Sequence, residues 1–181
     1  MQRTGPPVDP DLATLTRDLH PRLVGMLALY TGDRYLAEDL AQETLIRLHQ
    51  NWPTVCTHPS PEAWASRVAL NLAGSWWRRR GAERRANQKV ERRPAASPID
   101  PADVVAVRSA VASLARRQRA VIVLRYYQGL SVRETAEVLA CPEGTVKSLT
   151  SSAIAGLRRE LADLDGPLDP IFSIPMETFH A

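Results

Sequence analysis

Three observations predict an all-α fold. Apolar residues recur at intervals of three and four along most of the chain, which is the period of a helix with one buried face. Strand signals are nearly absent: the only β-leaning run, Val121-Ile122-Val123-Leu124, continues a helical pattern. Leu130 to Leu161 reads as two helices joined by a very short turn, the form of a helix-turn-helix unit. Pro94 to Pro101 breaks the pattern with a linker composition. The expectation is therefore two small helical domains joined by a flexible linker, which 181 residues accommodate. In detail the expected spans are a disordered lead over 1–10, a first domain over 11–93, a linker over 94–105, a second domain over 106–163 and a tail over 164–181.

The first helix is expected from Asp11 to Tyr30, with Leu12, Leu15, Leu19, Leu23, Leu27 and Tyr30 on one side. Pro21 should kink it or split it in two, because proline removes a helical hydrogen bond and clashes with the preceding turn. Thr31-Gly32-Asp33 makes a turn, and Asp33 can cap the next helix. That helix runs from about Arg34 to Trp52, with Leu36, Ala37, Leu40, Ala41, Thr44, Leu48 and Trp52 inward. Its other side carries Asp39, Gln42, Glu43 and, oddly, Ile46. An apolar residue among acids reads either as part of a partner surface or as one scattered exposure. Pro53 to Pro61 is a proline-rich loop. A third long helix then starts at Pro61 and Glu62, with Trp64, Val68, Leu72 and Trp76 as its inward face and Arg67, Asn71, Gly74 and Arg78 opposite.

Trp76 to Arg93 is the strongest charge run, with Arg78, Arg79, Arg80, Arg84, Arg85, Lys89, Arg92 and Arg93 against Glu83 and Glu91. A cation cluster beside the Trp76-Trp77 pair combines charge and stacking for nucleic acid, single strands included. The net charge of the whole chain is only +3, so the attraction to a polyanion has to come from this distribution rather than from the sum.

In the second half, helices are expected over Ala102–Leu114, with Val105, Ser109 and Ala112 inward, and over Arg116–Tyr127, stopped by Gly129. Ser131 and Glu134 have capping-box spacing, and Val132, Ala136 and Leu139 stripe the helix they open. Cys141-Pro142 ends it. Gly144 or Thr145 then opens a helix with Val146, Leu149, Ala153 and Leu157 inward. In a helix-turn-helix this second helix enters the DNA major groove. The tail is Pro-rich, yet it carries Ile171, Phe172, Ile174, Met176 and Phe179, too apolar for a free solvated end.

No nucleophile–base pair, glycine-rich phosphate loop or metal-ligand spacing stands out, so no catalytic residue, metal or cofactor is expected. His49, Cys56 and His58 around a proline-rich loop make a weak metal pattern. The two cysteines, Cys56 and Cys141, have no framework spacing and suit a reducing cytoplasm. No apolar run approaches membrane-spanning length.

Several segments, in order and at the right spacing, resemble bacterial RNA polymerase sigma factors of the extracytoplasmic-function (ECF) type. They are Ala37 to Thr44 (AEDLAQET), Trp64 to Asn71, Leu114 to Arg119 followed by Val123 to Tyr126 and Gly129-Leu130-Ser131, and Gly144 to Ser148. The resemblance covers roughly residues 12–93 and 106–161. It implies a promoter-specificity subunit with core RNA polymerase, duplex promoter DNA, the melted non-template strand and an anti-sigma protein as partners. It places polymerase docking on Asp39, Gln42, Glu43 and Ile46. Reading and melting of the −10 element falls to Arg67, Asn71, Trp77, Arg78, Arg79 and Arg80, and the Pro53–Pro61 loop matches one that pockets a flipped base. Reading of the −35 element falls to Arg133, Thr145, Lys147, Ser148, Ser151 and Ser152.

The chain also departs from the family pattern. Leu149-Thr150-Ser151-Ser152 is uncharged where a basic run is usual, Gly156 replaces a longer residue, and Ala140 stands where the turn often has glycine. Two other readings use the same residues: a stand-alone helix-turn-helix regulator, and a polymerase-binding protein with weakened promoter reading.

Overall fold

A computed structural model describes residues 10–86 and 102–161, and every element among them is helical. The expected lead, most of the linker, the C-terminal tail and the cations Lys89, Arg92 and Arg93 lie outside the described residues, as do the side chains of Arg84 and Arg85.

The first domain contains α1 (Pro10–Thr31), α2 (Arg34–Gln50), the short α3 (Trp52–Val55) and α4 (Pro61–Ala86). Of the expected kink or split, the split does not occur: α1 is a single helix through Pro21. Leu19 and Leu23, on either side of the proline, are both buried in the same core. Burying two leucines is worth roughly 3–6 kcal/mol, enough to outweigh the roughly 3 kcal/mol that an interior proline costs. Asp33 caps α2 as expected, its Oδ1 accepting from the Leu36 N–H at 3.1 Å. Leu36, Ala37, Leu40, Ala41, Thr44 and Leu48 are buried. The Thr44 hydroxyl donates to the Leu40 carbonyl at 2.7 Å, which lets a polar residue sit in the apolar seam without cost. Trp52 falls beyond α2, half-buried at the start of α3, a single turn inserted into the segment expected as loop.

The inward face of α4 differs from the expected one. Ala63, Ala65, Ser66, Ala69, Leu70 and Ala73 are buried, while Trp64, Val68, Leu72 and Trp76 are half-buried beside them. Small residues let helix axes approach closely. The tryptophans are too large for that seam and pack along its margin.

The second domain contains α5 (Ala102–Ser113), α6 (Arg116–Ile122), a π-helical turn (Val123–Tyr127), α7 (Val132–Leu139) and α8 (Glu143–Glu160). The helix α5 begins inside the expected linker span. It buries Val107, Ala110 and Val111, whereas Ser109 is exposed and Val105 is 40% exposed. The expected face is thus rotated, because Val107, Ala110, Val111 and Leu114 follow the packing of Ile122, Ala153 and Leu157. The π turn closes with the Gln128 N–H donating to the Val123 carbonyl at 3.0 Å, and Gly129 ends it at φ +73°. Ser131 and Glu134 form the predicted capping box: the Ser131 hydroxyl accepts from Glu134 N at 3.1 Å, and the Glu134 carboxylate accepts from Ser131 N at 2.7 Å. After α7 the chain turns through Ala140 at φ +48°. The helix α8 starts at Glu143, one residue before the earliest expected start, with Pro142 extended ahead of it and its carbonyl accepting from Thr145 N at 2.9 Å.

The two domains share one apolar cluster. Ala120, Val123, Leu124, Leu130 and Val138 of the second domain join Leu23, Leu27 and Tyr30 of α1. Arg22 and Gln128, 106 positions apart, exchange hydrogen bonds: the Arg22 guanidinium donates to the Gln128 carbonyl at 3.2 Å, and the Gln128 amide donates to the Arg22 carbonyl at 3.0 Å. Tyr127 stands over Gly25, where a β-carbon would lie 1.8 Å from its hydroxyl oxygen.

Candidate polymerase and DNA interface

Three surfaces emerge from this packing. The first is the outer face of α2. Asp39, Gln42 and Ile46 are exposed on it, Ile46 by 51%. The structure adds Tyr35, 81% exposed on the same face and absent from the sequence reading. Tyr35, Asp39, Gln42 and Ile46 follow one another by four, three and four, so they form a single stripe. Glu43 stands at its margin, paired with Arg47 at 2.8 Å. Arg34 and Glu38 form a similar pair at 3.3 Å. Both pairs are solvated and add little stability.

The second surface is the outer face of α4. Arg67, Asn71 and Arg78 are exposed there, as the sequence predicts, while Gly74 is half-buried between them and Arg79 is exposed alongside. Arg78 donates to the Ser75 hydroxyl at 2.7 Å. Arg80 lies over the Trp76 ring at 4.9 Å. Trp77 is not presented with them. Its ring meets Tyr30 edge-on at 4.9 Å, and the Arg116 guanidinium lies over it at 4.8 Å. The stacking face that would take a base is thus covered by a cation of the second domain. In the preceding loop Ser60 caps α4, its hydroxyl accepting from Ala63 N at 3.1 Å, and Ser60 N donates to His58 Nδ1 at 3.1 Å.

The third surface is α8. Val146, Ala153 and Leu157 turn inward, which leaves Lys147, Ser148, Ser151 and Ser152 exposed and Thr145 half-exposed. Lys147 and Ser151 line a shallow depression of about 500 Å³ with Arg125, Thr150 and Arg158. Arg125 and Arg158 therefore bring positive charge to a helix face that lacks it between 149 and 152. Ser152 faces the other way, where its hydroxyl accepts from the Gln118 amide at 2.8 Å. Ser148 donates to the Thr145 carbonyl at 3.0 Å. Arg133, on α7, is exposed and paired with Glu137 at 3.1 Å. Gly156 lies under α5: a β-carbon there would come 3.2 Å from Leu114 Cδ2, so a longer residue would press on that contact.

Burial sets the ionisation of the aromatic hydroxyls at the domain junction. Burial pushes the Tyr127 hydroxyl up to about 12. Burial also raises Tyr30, against the opposing pull of Arg116 and Arg119. Desolvation lowers Arg119. On α7, the hydrogen bonds from Ser131 hold the Glu134 carboxyl below its ordinary range. Among the described residues no group of three or more His, Cys, Asp or Glu is arranged to hold a metal, and no helix is long and apolar enough to cross a membrane.

Two helical domains, one carrying a basic helix and the other a helix-turn-helix, define a DNA-binding transcription factor. Residues 15–83 match the family description "Sigma-70 region 2", and residues 105–155 match "Sigma-70, region 4". The RNA polymerase sigma-E factor of Streptomyces coelicolor is 36% identical over 132 residues, 71% of this chain and 75% of that one. The ECF RNA polymerase sigma factor SigL of Mycobacterium tuberculosis is 34% identical over 164 residues, 84% of this chain and 92% of that one. The solved sigma factor RpoE of Bartonella quintana, in complex with the anti-sigma factor NepR, is similar with a TM-score of 0.78 at 25% identity, over 86% of this chain and 99% of that one. The chain belongs to the sigma-70 family and, within it, to the ECF sigma factors: it is a promoter-recognition subunit of bacterial RNA polymerase.

Proposed function

We propose that its three surfaces divide the work of initiation. The α2 stripe of Tyr35, Asp39, Gln42 and Ile46, with Glu43 beside it, docks on the polymerase clamp. The cations and Asn71 on α4 hold the melted −10 strand, and α8 reads the −35 duplex. One observation carries the reading. The helix α2 spends its whole inner face on the core, yet leaves a large aromatic and an isoleucine exposed beside Asp39, a combination suited to a protein partner rather than to water.

On this reading the protein has no chemistry of its own and works in the cytoplasm. Lys147, Ser148 and Ser151 meet base edges and backbone, with Arg125 and Arg158 supplying phosphate contacts. An anti-sigma protein is the expected regulator, by likeness to the Bartonella quintana protein solved with NepR.

Run-off transcription with core polymerase tests the assignment. The wild-type chain is expected to initiate. Asp39→Ala with Ile46→Ala should lose core binding in a pull-down while still binding −35 duplex. Unchanged core affinity in that double variant would remove α2 as the docking face.

A further inference from the structure

We infer that Gln118, on α6 and outside the helix-turn-helix, sets one base preference of the −35 element: it fixes the Ser152 hydroxyl as a hydrogen-bond donor, so the base edge opposite Ser152 is one that accepts. The inference rests on the reading of α8 as the −35 reader and deepens it.

Two bonds hold Gln118. It is the third residue of α6, and its Oε1 accepts from the Ala115 N–H at 3.2 Å, the reach-back half of a capping box. A backbone N–H can only donate, so the amide oxygen has to face Ala115 and the NH2 group is left to face α8. There Nε2 donates to Ser152 Oγ at 2.8 Å, across 34 positions of sequence. The cap of one helix therefore decides the polarity of a bond on another. A hydroxyl has a single proton, and the Ser152 proton cannot point at an NH2 group.

Other hydroxyls of α8 are set differently. Ser148 donates to the Thr145 carbonyl at 3.0 Å and Thr150 to the Val146 carbonyl at 2.7 Å, so their protons are spent on the helix. Among the described residues, no carbonyl takes the Ser152 proton. Ser152 is exposed, one turn beyond Ser148 and about 6 Å further along the axis. The two serines thus present opposite polarity: Ser148 offers lone pairs and Ser152 a proton. In the major groove guanine shows only acceptors and cytosine only a donor, while thymine O4 accepts and adenine N6 donates. Ser148 suits the amino group of adenine or cytosine. Ser152 suits guanine or thymine and disfavours cytosine. Residues 149–152 carry no charge, so no guanidinium there can fork onto a guanine. Hydroxyl polarity is what remains along that stretch to tell a base pair from its reverse.

Run-off transcription by holoenzyme built from core polymerase and the full chain tests the inference, on promoters that differ at single −35 positions. The quantity read is the ratio of transcript from G·C and C·G at each position, so uniform changes in affinity cancel. Ser152→Ala should shrink that ratio roughly fivefold at one position, the worth of one neutral hydrogen bond. Gln118→Glu keeps the cap, because a carboxylate also accepts from the Ala115 N–H, but its second oxygen now takes the Ser152 proton. It should reverse the preference at that same position, towards cytosine, and leave alone the position that Ser148→Ala affects. Added to Ser152→Ala, Gln118→Glu should change the ratio no further. A merely structural role for Gln118 would lower output on all templates and leave the ratios intact. Ratios untouched by Ser152→Ala or by Gln118→Glu, or altered by Gln118→Glu when Ser152 is already gone, overturn the inference and leave α8 standing as the reader. Wild-type output indifferent to the −35 sequence removes the reader and the inference together.

Discussion

Arg119 donates from Nη1 to the main-chain carbonyl of Tyr30 at 2.9 Å, tying α6 to the C-terminal turn of α1. Its other terminal nitrogen meets the carbonyls of Ala112 and Leu114, so one planar guanidinium satisfies the end of α5 and the end of α1 together. Lysine is a point charge without that fork. Arg119→Lys is expected to lower stability by about 1–3 kcal/mol, the cost of leaving buried carbonyls short of a donor. Urea unfolding of the two proteins checks it, and a difference below about 0.5 kcal/mol would show that water replaces the lost bonds.

The helix-turn-helix corner turns through Ala140 at φ +48°. A left-handed backbone costs an L-residue roughly 1–2 kcal/mol, and glycine escapes that cost. Ala140→Gly should therefore stabilise the protein by about 1 kcal/mol, less the entropy glycine adds to the unfolded chain. A midpoint that moves downward in chemical denaturation would contradict the strain argument.

Tyr127 links stability to alkaline pH. Burial raises its hydroxyl from 10.0 to about 12, so the neutral form is favoured in the folded protein. The associated stability is complete below pH 10 and is lost as pH climbs towards 12. Tyr30 is shifted the same way and should add to the fall. Tyr127→Phe cannot ionise and should show a shallower decline across that window. Thermal midpoints collected from pH 8 to pH 11 compare the two, and superimposable curves would clear Tyr127 of responsibility.

Lys147 is exposed at the N-terminal end of α8 beside Arg125 and Arg158. If it contacts a phosphate, Lys147→Ala should reduce the slope of log affinity against log salt by about 0.9 for promoter duplex. Ser148→Ala should leave the slope alone and alter discrimination among −35 sequences. Fluorescence anisotropy at a series of salt concentrations measures both.

Much of the fold can be read from local chemistry. Asp33, Ser131 and Glu134 are visible as caps because their bonds reach only three residues along the chain. The inner face of α2 is legible because its core positions are mostly leucine and alanine against a polar outer side. The face of α4 is harder. Four tryptophan and aliphatic residues at i+4 spacing imitate a core stripe, but the actual seam is alanine and serine, whose value lies in the close approach of another helix. The face of α5 is misread for a related reason: its alanines and valines surround the helix and leave weak contrast between sides. At the interface, Asp39 and Ile46 stand out in the sequence. Tyr35 does not, because nothing local says that an aromatic in the first turn of a helix will be left uncovered. The covering of Trp77 by Arg116 joins residues 39 positions apart in different domains, and no periodicity carries that information.

The π-helical turn at Val123–Tyr127 sets the rotational phase of everything that follows it. Such a turn is an α-helix carrying one inserted residue. Five residues complete here what an α-helix completes in about 3.6, so the extra residue is absorbed within the turn and the side chains beyond it keep their facing towards α1. Chain length and side-chain identity are thus separate constraints at this position. A frame-preserving codon deletion inside the turn is expected to be borne as a return to α-helical pairing, with every residue of the capping box and of the recognition helix left in place.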